Sequence, residues 1–116
     1  MSALGRACLA LAGVALAGAA LAHATLDRAR PAVGSRVAAP PATIELWFSE
    51  KLEPTFSSVK VLDAGGRQVD RGDAAFNGGA PGHVSVSVAP LAPGRYRVVW
   101  RAVSVDTHVT SGDYSF

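Results

Sequence analysis

The sequence predicts an all-β protein, a sandwich or barrel of about seven short antiparallel strands. Three observations carry this. Apolar residues recur with a period of two, turn-forming residues punctuate the runs at close spacing, and no window holds a sustained helical stripe.

The alternation is clear in four places. Thr43–Phe48 sets Ile44, Leu46 and Phe48 on one face, and residues 57–62 do the same with Val59 and Val61. Residues 83–88 place three valines inward and His83, Ser85 and Ser87 outward. Residues 95–101 set Tyr96, Val98 and Trp100 against Arg95, Arg97 and Arg101. Successive strand side chains point to opposite faces, so each run has one face for a core. Turns are expected at residues 31–34, Pro40-Pro41, Ala64-Gly65-Gly66, Asn77-Gly78-Gly79 and Ala92-Pro93-Gly94. Gly and Asn accept positive φ there, and Pro presets the turn. Residues 24–29 and 112–116 are expected to add strands, the last one short. Residues 67–82 show no pattern and are expected to form a loop.

Residues 1–22 differ from the rest. Arg6 is followed by an apolar stretch and then Ala20-Leu21-Ala22, a small-x-small cleavage pattern. These are the parts of a secretory signal peptide. Residues 7–22, rich in Ala and Gly, are too few for a membrane span, which needs about 20 strongly apolar residues. Cleavage after Ala22 leaves one domain, residues 23–116, without a stable membrane anchor. The chain has eleven basic and nine acidic residues. It has no polybasic run, which argues against nucleic acid as a partner. Its one cysteine, Cys8, and its one methionine, Met1, both fall in the leader. The mature domain is therefore expected to hold together without a disulfide and to offer no sulfur ligand.

Three histidines remain. Cleavage would give His23 a free α-amine, and amine plus ring Nδ1 can chelate one ion. Nitrogen donors of this kind suit Cu(II), Ni(II) and Zn(II), with affinity greatest for Cu(II). In an extended segment Asp106 and His108, two residues apart, present a carboxylate and an imidazole side by side. With His23 they make a set of three nitrogens and one oxygen that suits tetragonal Cu(II). A solvated loop with a capping aspartate is the alternative for Asp106 and His108 alone. His83, without a nearby acid in sequence, reads as a surface histidine. Trp47 and Trp100 read as core or rim aromatics. Glu50 reads either as an exposed turn residue or as an acceptor that orients a ligand imidazole.

Four blocks extend this reading. They are His23-Ala24-Thr25-Leu26, Arg30-Pro31-Ala32-Val33-Gly34-Ser35, Leu46-Trp47-Phe48-Ser49-Glu50-Lys51-Leu52, and the run from Tyr96 through Trp100-Arg101 and Ser104 to Asp106-Thr107-His108. They resemble the bacterial copper-resistance protein C (CopC) family over residues 23–116. The W-R-x-x-S-x-D-x-H block is the specific one. The resemblance implies a Greek-key, immunoglobulin-like β-sandwich in the periplasm that binds copper and is no enzyme. It places the Cu(II) ligands on His23, Asp106 and His108, with Glu50 close by. It also implies a monomer that holds copper or passes it to a membrane copper-import protein. Some members carry a methionine-rich Cu(I) site in the loop matching residues 64–82; without methionine, this chain is expected to lack it. A copper-brace oxidase and a metal-free structural sandwich are the competing functional readings. The first needs an aromatic substrate platform that the sequence does not show.

Overall fold

Seven strands alternate between two layers. The computed structural model describes residues 24–116. In chain order the strands are β1 (Leu26–Arg30), β2 (Thr43–Phe48), β3 (Ser58–Leu62), β4 (Ala75–Phe76), β5 (His83–Ser87), β6 (Arg97–Val103) and β7 (Val109–Ser115). One sheet has the order β1-β2-β5-β4 and the other β3-β6-β7. All pairings are antiparallel. The chain crosses between the sheets after β2, β3 and β5, which gives an immunoglobulin-like sandwich rather than a closed barrel.

The period-two pattern becomes the core. Ile44, Leu46 and Phe48 of β2 and Val84 and Val86 of β5 face Val59, Val61, Val98, Ala102 and Tyr114 across the layers. Fully burying a side chain of this size contributes roughly 1.5–3 kcal/mol. Trp100 points inward and meets Phe48 edge to face at 5.1 Å between ring centroids. Its indole lies over Gly112 of β7, where a Cβ would come within 2.6 Å of the ring. A side chain at 112 would push the indole out of the core.

Two expectations need correction. Residues 67–82 are not a plain loop. They hold β4, and Gln68 and Asp70 form bridges to Leu62 and Val88. The ordering comes from side chains: the Asp70 carboxylate accepts the Val61 N–H at 2.8 Å, and the Asp73 carboxylate accepts that of Ser87 at 2.9 Å. The last strand is also not short. It starts at Val109, pairs with β6 over seven positions, and continues into the reciprocal Tyr96–Phe116 backbone bonds. Val109 and Thr110 are β-branched and fit the pleat, although Thr110-Ser111-Gly112-Asp113 lacks apolar alternation.

Candidate metal centre

β6 and β7 are consecutive antiparallel strands, so the chain must reverse between them. It does so over residues 104–108. The Ser104 N–H bonds the His108 carbonyl at 3.0 Å, and the Thr107 N–H bonds the Ser104 carbonyl at 2.8 Å. Thr107 takes a φ of 73° to close the turn. Asp106 and His108 do come together, with His108 Nδ1 3.3 Å from Asp106 Oδ1. A tight turn pairs them, however, not the extended segment that their spacing suggested.

Ser104 is wholly buried at the base of this turn. Its hydroxyl donates to Asp106 Oδ1 and also lies 3.3 Å from the His108 carbonyl oxygen. The Ser104 hydrogen bond is the main reason the Asp106 carboxyl is held below its ordinary range. His108 adds to the effect and partial desolvation opposes it. The Asp106 and His108 side chains are nearly half exposed, at 47% and 46%. A solvent-borne ion can reach both.

Two other segments converge on the turn. Residues 49–52 follow β2: Leu52 bridges Ser104, and the Lys51 carbonyl accepts the Val105 N–H at 3.3 Å. Asn77 fixes this segment, donating from Nδ2 to the Leu52 carbonyl at 2.8 Å and accepting at Oδ1 from the Gly82 N–H at 3.1 Å. Gly82, with a φ of 81°, allows the Phe48 and Glu50 carbonyls to close in; a Cβ there would lie 2.2 Å from the Phe48 oxygen. Glu50 is thus half-buried on the strip between Thr25, bonded to Ser49, and the turn, bonded to Lys51.

Residues 24–25, the first described, supply the second segment. Ala24 is fully buried, and its carbonyl accepts the Thr110 hydroxyl at 2.7 Å. The Thr25 N–H donates to Ser49 Oγ at 2.9 Å, and the Thr25 carbonyl accepts the Ser49 N–H at 2.8 Å. His23, the first proposed ligand, lies outside the described residues. So does the proposed leader, residues 1–22. Among the described residues no group of three or more His, Cys, Asp and Glu side chains converges.

His83 corrects the sequence reading. It does face outward from β5, but its side chain is only 15% exposed. Its Nε2 lies 3.2 Å from Glu45 Oε1 on β2, and its ring lies 5.1 Å from that of Trp47. The sequence reading also missed Ser104, Ser49, Thr110 and Asn77. The Ser104-x-Asp106-x-His108 spacing was the one visible sign, since every second residue of it is polar. A groove of about 730 Å³, lined by Val37, Pro41, Leu91, Tyr96 and Phe116 among others, opens at the opposite end of the sandwich and touches none of these residues.

The comparisons with known proteins agree with the fold. A family model, CopC domain, matches residues 26–116. Copper resistance protein C of Pseudomonas syringae pv. tomato is 41% identical over 92 residues, covering 74% of this chain and 72% of that protein. The crystal structure of CopC from Methylosinus trichosporium OB3b superposes with a TM-score of 0.74 at 35% identity, covering 81% of this chain and 91% of that one. PcoC of Escherichia coli, described as a methionine-rich copper resistance protein, superposes with a TM-score of 0.72 at 37% identity, covering 82% and 97%. A domain match that runs from β1 to Phe116 and structural likeness at 35–37% identity lead to one assignment: the chain belongs to the CopC family.

Proposed function

We propose that this chain is a periplasmic Cu(II)-binding protein that holds copper or delivers it to a membrane copper-import partner. The ligands are the amine and ring of His23, the ring of His108 and the carboxylate of Asp106, with Glu50 beside them. Proteins of this family are copper carriers that catalyse no reaction. Export follows from the leader, residues 1–22, and the domain works as a monomer.

The observation that carries the reading is the hydrogen bond from Thr110 to Ala24. It ties the residue after His23 to the residue two beyond His108. A bond that joins these two stretches of chain supports a site shared between the proposed ligand His23 and the Asp106–His108 pair. That pair also fits an ion. With metal–ligand bonds of about 2.1 Å, donors 3.3 Å apart subtend an angle on the order of 100°. The donors are nitrogen and oxygen only, whereas Cu(I) favours thiolate and thioether. The amine must lose its proton to bind, and its free pKa is about 7.7–8.0. Binding therefore releases a proton and weakens in acid.

Competition titration of the protein beginning at His23, with Cu(II) and with Cu(I), tests the proposal. One equivalent of Cu(II) is expected to bind, more tightly than Cu(I); equal or tighter Cu(I) binding overturns it. One extra glycine before His23 moves the amine off the chelate ring while leaving every side chain in place. It should weaken Cu(II) at least tenfold, about 1.4 kcal/mol. Unchanged affinity would remove the terminal chelate from the site.

A further inference from the structure

The chain start is held by two hydroxyl groups, one from each sheet. Thr110, on β7 of the three-stranded sheet, donates to the Ala24 carbonyl at 2.7 Å. Ser49, just after β2 of the four-stranded sheet, accepts the Thr25 N–H and donates its own N–H to the Thr25 carbonyl. The Ala24–Thr25 peptide unit is thereby held from both layers of the sandwich, its C=O by Thr110 and its N–H by Ser49, and the next unit is held again by the Ser49 N–H. Chain termini are poorly ordered unless tied down, and Ala24 is fully buried.

Thr110 alternates with Gly112 and Tyr114 on the inward face of β7 and is partly buried. An inward hydroxyl is unfavourable unless bonded, and its bonded partner is the carbonyl of the Ala24–Thr25 peptide, the unit next but one to His23. We infer that Thr110, with Ser49 opposite, is a positioning residue: the pair forms a clasp that fixes the backbone within two residues of the proposed ligand His23 and so reduces the ordering that copper binding must impose on it. The inference rests on the copper reading above. Preordering the start of the chain moves its entropic cost from binding to folding, which is how preorganisation raises affinity.

The test compares Thr110→Val, which keeps shape and removes the donor, with Thr110→Ser, which keeps the donor. Both are made in the protein beginning at His23, with thermal unfolding to show that each folds. Thr110→Val should weaken Cu(II) binding roughly tenfold and broaden the electron paramagnetic resonance spectrum into a mixture of species. Thr110→Ser should restore both. Wild-type affinity and spectrum in Thr110→Val overturn the clasp. A merely structural role is separated by repeating Thr110→Val with the extra glycine before His23. A clasp acting through the terminal chelate costs little once that chelate is broken; the same loss in both backgrounds overturns the inference. His108→Ala completes the series. Loss in His108→Ala without loss in Thr110→Val overturns the clasp alone, whereas full affinity in His108→Ala overturns the copper reading itself.

Discussion

The described residues hold two histidine–carboxylate pairs of nearly equal length, and they sit in different settings. His83 and Glu45 are 3.2 Å apart on neighbouring strands; His108 and Asp106 are 3.3 Å apart across a turn. Distance does not separate them, but surroundings do. The His83 ring is roofed by Trp47, and the Arg28 guanidinium covers that indole at 3.9 Å from its centroid. Arg30 reaches the second Glu45 oxygen at 3.4 Å. Two nearby arginines and a carboxylate already engaged on both oxygens disfavour an added cation. This is a cross-strand packing motif of the kind that stabilises sheets. The Asp106–His108 pair is open to solvent, is held by a buried hydroxyl, and leads into the strand whose Thr110 bonds Ala24. A histidine beside an acid is thus not enough to mark a metal centre.

The comparison breaks most readily at the two histidines. His108→Ala should lower Cu(II) affinity at least a hundredfold, about 2.7 kcal/mol, while His83→Ala stays within about threefold of wild type by the same titration. Similar losses in the two variants would erase the distinction. A smaller effect is expected at Ser104. The Asp106 carboxyl is held below its ordinary range, first by Ser104. It therefore stays ionised, and able to bind, deeper into acid. Any stability it gives the metal-free fold is present above the ordinary carboxylate range and is lost as pH falls through the lowered folded value. Ser104→Ala should raise the Asp106 pKa toward its ordinary value, seen by proton NMR titration. The acid limit of Cu(II) binding should shift to higher pH with it. An unmoved Asp106 titration would show that the hydroxyl is not the cause. The smallest effect belongs to Glu45→Gln. A partly exposed pair contributes on the order of 1 kcal/mol or less, so thermal unfolding should shift by a few degrees at most. Cu(II) affinity should not change.

The two sheets were legible because each has one buried face, which imposes the period of two on Thr43–Phe48 and on the valines of β5. β4 was not legible. Its two residues carry no period, and they form a strand because Asp73 anchors the segment to Ser87 on β5. Asp106 and His108 stood out by residue type and spacing, but the turn that joins them depends on Thr107 adopting positive φ. Glu45 could not be matched to His83 from sequence, since 38 residues separate them and only strand pairing brings them together. Ser49, Ser104 and Thr110 are common residues in unremarkable settings. Each matters through a partner that topology supplies.

The Thr110–Ala24 bond spans 86 positions of the sequence. Contacts of such separation demand loop closure over nearly the whole domain before they return any energy. The end of the sandwich that holds the candidate site is therefore assembled from the first and last strands together, and a growing or unfolded chain cannot form it. Copper captured there would report a finished fold, and a chain that crosses a membrane unfolded would bring no metal from the side it left.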